Sequence, residues 1–252
     1  EPEMQEIKKA VLNWKMAASV LSAFLILIHP LILDNVWSGM KEHDVLYWLT
    51  FPMATSGFTP FACVFPIIPY GLGFVEEYNT GFIKAVISRS GKRVYIRNKI
   101  ISCLVSGGGM VSAAFGMVFL VCLVGGTQVT EESVSDFYAL SVWQPYLTVW
   151  GGKLVLLMKL ALAFAHGAVW GLSALLVSSL YVNRYAVLMV PFVVYQIAWH
   201  FMQNNVLNPI YLLRADWGGY HVWYQPLGIQ AGVIIALIFL CVLCLRRRLY
   251  EL

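Results

Sequence analysis

Nothing in the 252 residues matches the phosphate-binding loop GxxxxGK[ST], so this chain carries no Walker-type site for ATP hydrolysis. The run Gly107-Gly108-Gly109 has no lysine after it and lies in an apolar stretch, where it reads as a device for close helix packing. Charge is scarce: 12% of residues are charged, against roughly 25% in soluble globular domains. No long polar stretch remains for a separate soluble domain. Glu1 to Lys15 is polar and charged and does not read as a cleavable signal peptide. Cys63, Cys103, Cys122, Cys241 and Cys244 are odd in number and all fall in apolar stretches, which argues against a disulfide framework. Cys241 and Cys244 form a C-x-x-C, but zinc needs four converging ligands and no second pair is near.

What is present is apolar: 60% of the chain. Several runs reach the roughly 20 residues that cross a bilayer core. They predict an all-α integral membrane protein, a single transmembrane domain over residues 1–252 with six transmembrane helices. The spans run from Ala17 to Leu33, Val45 to Phe74, Ile100 to Val124, Leu154 to Tyr181, Ala186 to Met202 and Leu227 to Leu245. The second contains Pro52, Pro60, Pro66 and Pro69. It reads as one kinked crossing, because two crossings would need about 40 residues. An amphipathic, interfacial helix over residues 1–16 precedes the first span, with Ile7, Val11 and Trp14 set against Lys8, Lys9 and Lys15.

Charge asymmetry orients the spans. With the amino terminus cytoplasmic, the inner segments hold Lys8, Lys9, Lys15, Lys84, Arg89, Lys92, Arg93, Arg97, Lys99, Arg184 and Arg246 to Arg248. The outer side holds Lys41, Lys153, Lys159 and Arg214. Thirteen against four is a positive-inside pattern. Both termini are then cytoplasmic and the number of crossings even. The basic balance reads as topology and contact with anionic membrane lipids, with no nucleic acid implied.

Ionisable groups within the spans are functional candidates. His166 lies one turn from Trp170 on the same face; a neutral packing histidine is the plainer reading, a substrate contact the sharper one. Lys159 is expected near the outer interface, where it can snorkel, and His29 beside Pro30 is expected to be interfacial. Gly171-Leu172-Ser173-Ala174 partly matches the GxSx of rhomboid-type proteases, yet the sixth span has no histidine to serve as base. A metal-dependent protease would draw on Glu76, Glu77, His200 and Asn204, but Gly81 stands where the prenyl-protein-processing type has arginine. An intramembrane protease and a non-transporting structural membrane protein remain the alternatives to a transporter.

The segment from Phe74 to Ile101 is the richest. Glu76 and Glu77 at its start and bases at its end suit the dipole of a short helix. Phe82, Ile83, Val86 and Ile87 make an apolar face, and Ser90-Gly91 marks a turn. A short amphipathic helix is therefore expected in the loop 75–99, between spans two and three, where it can rest on lipid or dock a cytoplasmic partner. Glu76, Glu77, Lys84, Arg89, Lys92 and Arg93 are placed to make charge-assisted contacts there.

An acid pair, Asn79-Thr80-Gly81, an apolar stretch, Ser88-Arg89 and a basic run ending at Lys99 together resemble the permease subunits of ABC type-2 transporters. The layout is similar too: an amphipathic amino-terminal helix, six spans with both ends inside, and a long aromatic and glycine-rich loop between spans five and six. As a motif the resemblance covers Glu76 to Lys99. It implies that the 75–99 loop holds the coupling helix, with Glu76, Glu77, Gly81, Lys84, Arg89, Lys92 and Arg93 docking ABC ATPase subunits. It implies a pathway shared with a second permease chain, identical or related, and short extracellular re-entrant helices in the loop 203–226. His166, Trp170, His200, Trp217, Tyr220 and Trp223 are the candidate pathway or gate residues, although an interfacial aromatic belt accounts for Trp217, Tyr220, Trp223 and the neighbouring Tyr224 almost as well. ATP and Mg would sit in the partner; no cofactor is expected in this chain. The function so implied is export of a hydrophobic or amphipathic peptide, lipid or drug across a bacterial plasma membrane.

Overall fold

The computed structural model describes residues 2–33, 53, 55–125, 129, 143–215 and 219–250. Among these every regular element is helical. In chain order they are α1 (Pro2–Val11), α2 (Trp14–Leu33), α3 (Gly73–Asn79), α4 (Phe82–Ser90), α5 (Lys92–Gly125), α6 (Lys153–Leu180), α7 (Arg184–Phe201), α8 (Pro209–Arg214) and α9 (Gln225–Tyr250), with short 3-10 turns between some of them. Among the described residues four helices are long and apolar enough to cross a bilayer, α2, α5, α6 and α9, as in a multi-pass membrane protein.

Of the six expected spans, four thus coincide with such helices. The expected fifth span is α7, 18 residues with Pro191 inside, and it falls outside that set. The expected second span lies partly outside the described residues. Its described part contains no long α-helix but two 3-10 turns, Thr59–Phe61 and Phe65–Ile67. The reason is covalent: Pro60, Pro66 and Pro69 have no N–H to donate and crowd the preceding turn. The chain closes shorter bonds instead, with Phe61 N donating to Phe58 O at 3.0 Å and Val64 N to Phe61 O at 2.8 Å. Carbonyls freed this way need partners in an apolar setting. α7 supplies two: Tyr195 Oη donates to Thr59 O at 2.5 Å and Gln196 Nε2 to Pro60 O at 2.9 Å.

α6 is the most enclosed of the long helices and α9 the most open to its surroundings. α5 and α6 meet through glycine. A Cβ on Gly107 would stand 2.4 Å from Gly167 O, one on Gly167 2.2 Å from Gly107 O, and one on Gly171 2.6 Å from Cys103 O. Only hydrogen fits at this crossing. Ser112 adds a bond across it, Oγ donating to Leu160 O at 3.1 Å. The glycine run therefore packs helices, as its sequence context suggested.

Candidate functional site

The 73–99 stretch folds as three consecutive helices. Gly81 breaks α3 from α4 at φ 71, and Gly91 breaks α4 from α5 at φ 79. Nothing lies within 4 Å of a Cβ built on either, so glycine is needed there for the backbone conformation alone. The break at Gly81 corrects one expectation. Glu76 and Glu77 lie inside α3, Glu76 in its first turn, and do not begin the amphipathic helix, so they do not serve the dipole of α4. The bases from Lys92 to Lys99 form the first two turns of α5.

α4 is amphipathic in fact. Ile83 is buried, and it packs with Phe74, Tyr95, Ile96, Leu245 and Leu249. Phe82 is half exposed, and Gly81, Lys84, Ala85, Ser88 and Arg89 face outward. Lys92 and Arg93 are exposed as well. Lys92 Nζ donates to Leu249 O at 2.8 Å and stands 4.7 Å from the Tyr250 ring, tying the end of α9 to α5.

Glu77 points the other way. Its Oε1 accepts from Lys99 Nζ at 2.6 Å and its Oε2 from Tyr95 Oη at 2.8 Å. Lys99 also donates to Glu6 of α1 at 2.7 Å and to Tyr70 Oη at 2.5 Å, and Tyr70 in turn donates to Glu6. The Lys99 side chain is 1% exposed. Desolvating an ammonium costs several kcal/mol, and here two carboxylates and a phenol surround it. Burial raises the Glu6 pKa, but the Lys99 charge, hydrogen bonds from Lys99 and Tyr70, and the charge of Lys9 outweigh that and hold it below its ordinary 4.5. Glu76 is more exposed and pairs with Lys15 at 3.0 Å. Asn13 fixes the corner between α1 and α2: its Oδ1 accepts from Met16 N at 2.7 Å, and its Nδ2 donates to Lys9 O at 2.8 Å. One cluster thus joins α1, Tyr70, α3 and α5. Of its members only Glu77 was a sequence-level candidate. For Tyr95 and Lys99 the signal is their i, i+4 spacing, with a basic residue already two turns inside a long helix; Glu6 and Tyr70, 93 and 29 residues from Lys99, carry none.

The candidate pathway residues separate. His166 and Trp170 are buried on α6, and Tyr195 of α7 meets both rings edge-on at 6.4 and 5.3 Å. Tyr195 leads to Trp199 at 6.2 Å, and Trp199 to the exposed His200 at 4.9 Å. Tyr195 and Trp199, not singled out from sequence, connect the three. Tyr220 is buried, its Oη donating to Val206 O at 3.3 Å. Trp223 is 40% exposed and accepts at its carbonyl from Trp143 Nε1 at 2.8 Å. Trp217 lies outside the described residues. Within the 203–226 loop, α8 is a six-residue helix capped by Asn208, whose Oδ1 accepts from Ile210 N. Lys159 donates to Arg214 O at the end of α8 at 2.9 Å and is buried there. Ser173 Oγ donates to Val169 O of its own helix at 2.8 Å, and His200 Nδ1 lies 2.8 Å from Gln196 O. Among the described residues no three His, Cys, Asp or Glu converge as metal ligands.

Compared with family models, curated proteins and solved structures, the chain matches none of them.

Proposed function

We propose that this chain is the permease subunit of an ATP-driven ABC exporter, coupled to a separate ATPase subunit and paired with a second permease chain. The observation that carries the reading is α4, a nine-residue amphipathic helix held between two positive-φ glycines, with its apolar side packed on α5 and α9 and its basic side exposed. A push on that exposed side reaches α5 directly, and through Glu77, Lys99 and Glu6 it reaches α1 and the corner of α2. In this reading α2, α5, α6, α7 and α9 cross the membrane, the proline-rich segment supplies the sixth crossing, and both termini are cytoplasmic. The substrate class is hydrophobic or amphipathic, and the location a bacterial plasma membrane.

The exposed residues Lys84, Arg89 and Arg93 take the docking role. Glu77 acts inside the chain, as the strut that stiffens α3 against α5. The test is co-expression with the cognate ATPase. Arg89→Glu should lower permease-stimulated ATP hydrolysis while membrane insertion is unchanged. Full stimulation by an inserted Arg89→Glu, Lys84→Glu variant would remove α4 from the coupling path.

A further inference from the structure

Between α1 and α4 the surface opens into a cavity of about 190 Å³, lined by Lys9, Phe82, Val86, Arg89, Asn98 and Lys99 among others. Lys9 and Arg89 are exposed, and neither is in an ion pair among the described residues. Glu6 also lines the cavity. Even with Glu6 and the Lys99-bound Glu77 counted, three cations leave the site net positive. Phe82 and Val86 of α4 give it an apolar wall. Asn98 is 8% exposed, and its buried Oδ1 has no hydrogen-bond partner. The side-chain amide therefore has capacity to spare, which buried polar groups in folded proteins rarely do.

The volume decides between kinds of ligand. At about 30 Å³ per water it exceeds a single-water site, and it falls short of the roughly 300–1,000 Å³ that enclose a drug-sized molecule. A polar headgroup fits, with any chains left outside. The depth agrees: Asn98 is six residues from the start of α5, about 9 Å along the helix, close to the polar boundary of a spanning helix that begins at Lys92.

We propose that this cavity binds the phosphate of an anionic phospholipid, with Lys9 and Arg89 on the phosphate oxygens and the Asn98 amide on a headgroup hydroxyl of the phosphoglycerol type. Phe82 and Val86 meet the first carbons of the lipid. The ligand's recognition element is a phosphate ester beside hydroxyl donors, which a free glycerol phosphate shares.

The experiment uses the purified full chain without any ATPase, so its outcome is independent of the coupling proposal. Native mass spectrometry reads what is retained after equilibration with phosphatidylglycerol, with phosphatidylcholine, or with free glycerol phosphate. Phosphatidylglycerol should be retained over phosphatidylcholine. Lys9→Gln and Arg89→Gln should each weaken retention about fivefold, whereas Lys84→Gln, an exposed base on α4 that does not line the cavity, should leave it unchanged. Arg89→Lys, which keeps the charge, should retain the lipid and controls for misfolding. Equal retention of the two lipids overturns the site, as does equal loss with Lys84→Gln. Retention of glycerol phosphate without phosphatidylglycerol overturns the lipid and assigns a soluble phosphate ester.

Discussion

Lys99 and Glu77, 22 residues apart on α5 and α3, meet at 2.6 Å with the lysine side chain almost wholly enclosed. Removing one partner of a buried pair costs about 3–5 kcal/mol because the other charge stays behind. Lys99→Met should reach that range, since it strands two carboxylates. Glu77→Gln should cost less, because Glu6 still neutralises the lysine. The Glu6→Gln, Glu77→Gln double variant should approach Lys99→Met. Chemical unfolding in detergent ranks the three; an unaffected Lys99→Met would show that the cluster contributes nothing to holding α1 and α3.

Glu6 gives the cluster a pH dependence of known sign. Its pKa in the folded chain lies below the ordinary 4.5, chiefly because Lys99 opposes the effect of burial. Its stabilising contribution is therefore present above 4.5 and lost as pH falls through the lower folded value. Stability of the wild-type chain should drop in that acidic window, and Glu6→Gln should flatten this part of the profile. An identical acid profile in the variant would assign the loss to other groups.

The α5–α6 crossing predicts an asymmetry among glycines. Gly167→Ala puts a methyl carbon 2.2 Å from the Gly107 carbonyl oxygen, so the helices must separate, at about 1–3 kcal/mol. Gly228→Ala and Gly232→Ala on α9 meet nothing within 4 Å and should be neutral or stabilising by about 0.5–1 kcal/mol. Thermal midpoints of the three variants decide; equal shifts would contradict the close approach.

Gly81 separates conformation from packing. Gly81→Ala encounters no atom within 4 Å, but it must hold φ near 71. The cost is about 1–2 kcal/mol, and Gly81→Asn, which tolerates that region, should recover part of it. Limited proteolysis of the α3–α4 junction should report the strain. Similar cleavage of Gly81→Ala and wild type would mean the junction relaxes freely.

Much of the helical layout was legible because uninterrupted apolar length and the turn glycines are local signals. Lys153 to Leu180 has no proline and becomes one helix; Gly91 ends α4 where Ser90-Gly91 marked a turn. The proline-rich segment was harder. Its hydropathy resembles a span, yet three prolines within ten residues replace helix bonds with 3-10 turns whose carbonyls are satisfied by distant side chains. The charge cluster was the least legible. Lys99 counts as one more inner base until Glu6 and Tyr70, 93 and 29 residues away, are folded against it. Pairing at such separations has no local sequence signature.

That separation has a consequence in time. Glu6 is synthesised 93 residues before Lys99, about 5–20 s earlier at 5–20 residues per second. Lys92 waits a further 157 residues for the Leu249 carbonyl, longer still at the same speed. Until Lys99 has been made, α1 is a tethered helix without its counter-charge, and the basic start of α5 stays open until residue 249 follows. A chain interrupted before residue 249 would already hold α5 and α6 yet leave the start of α5 without the carbonyl that Lys92 bonds.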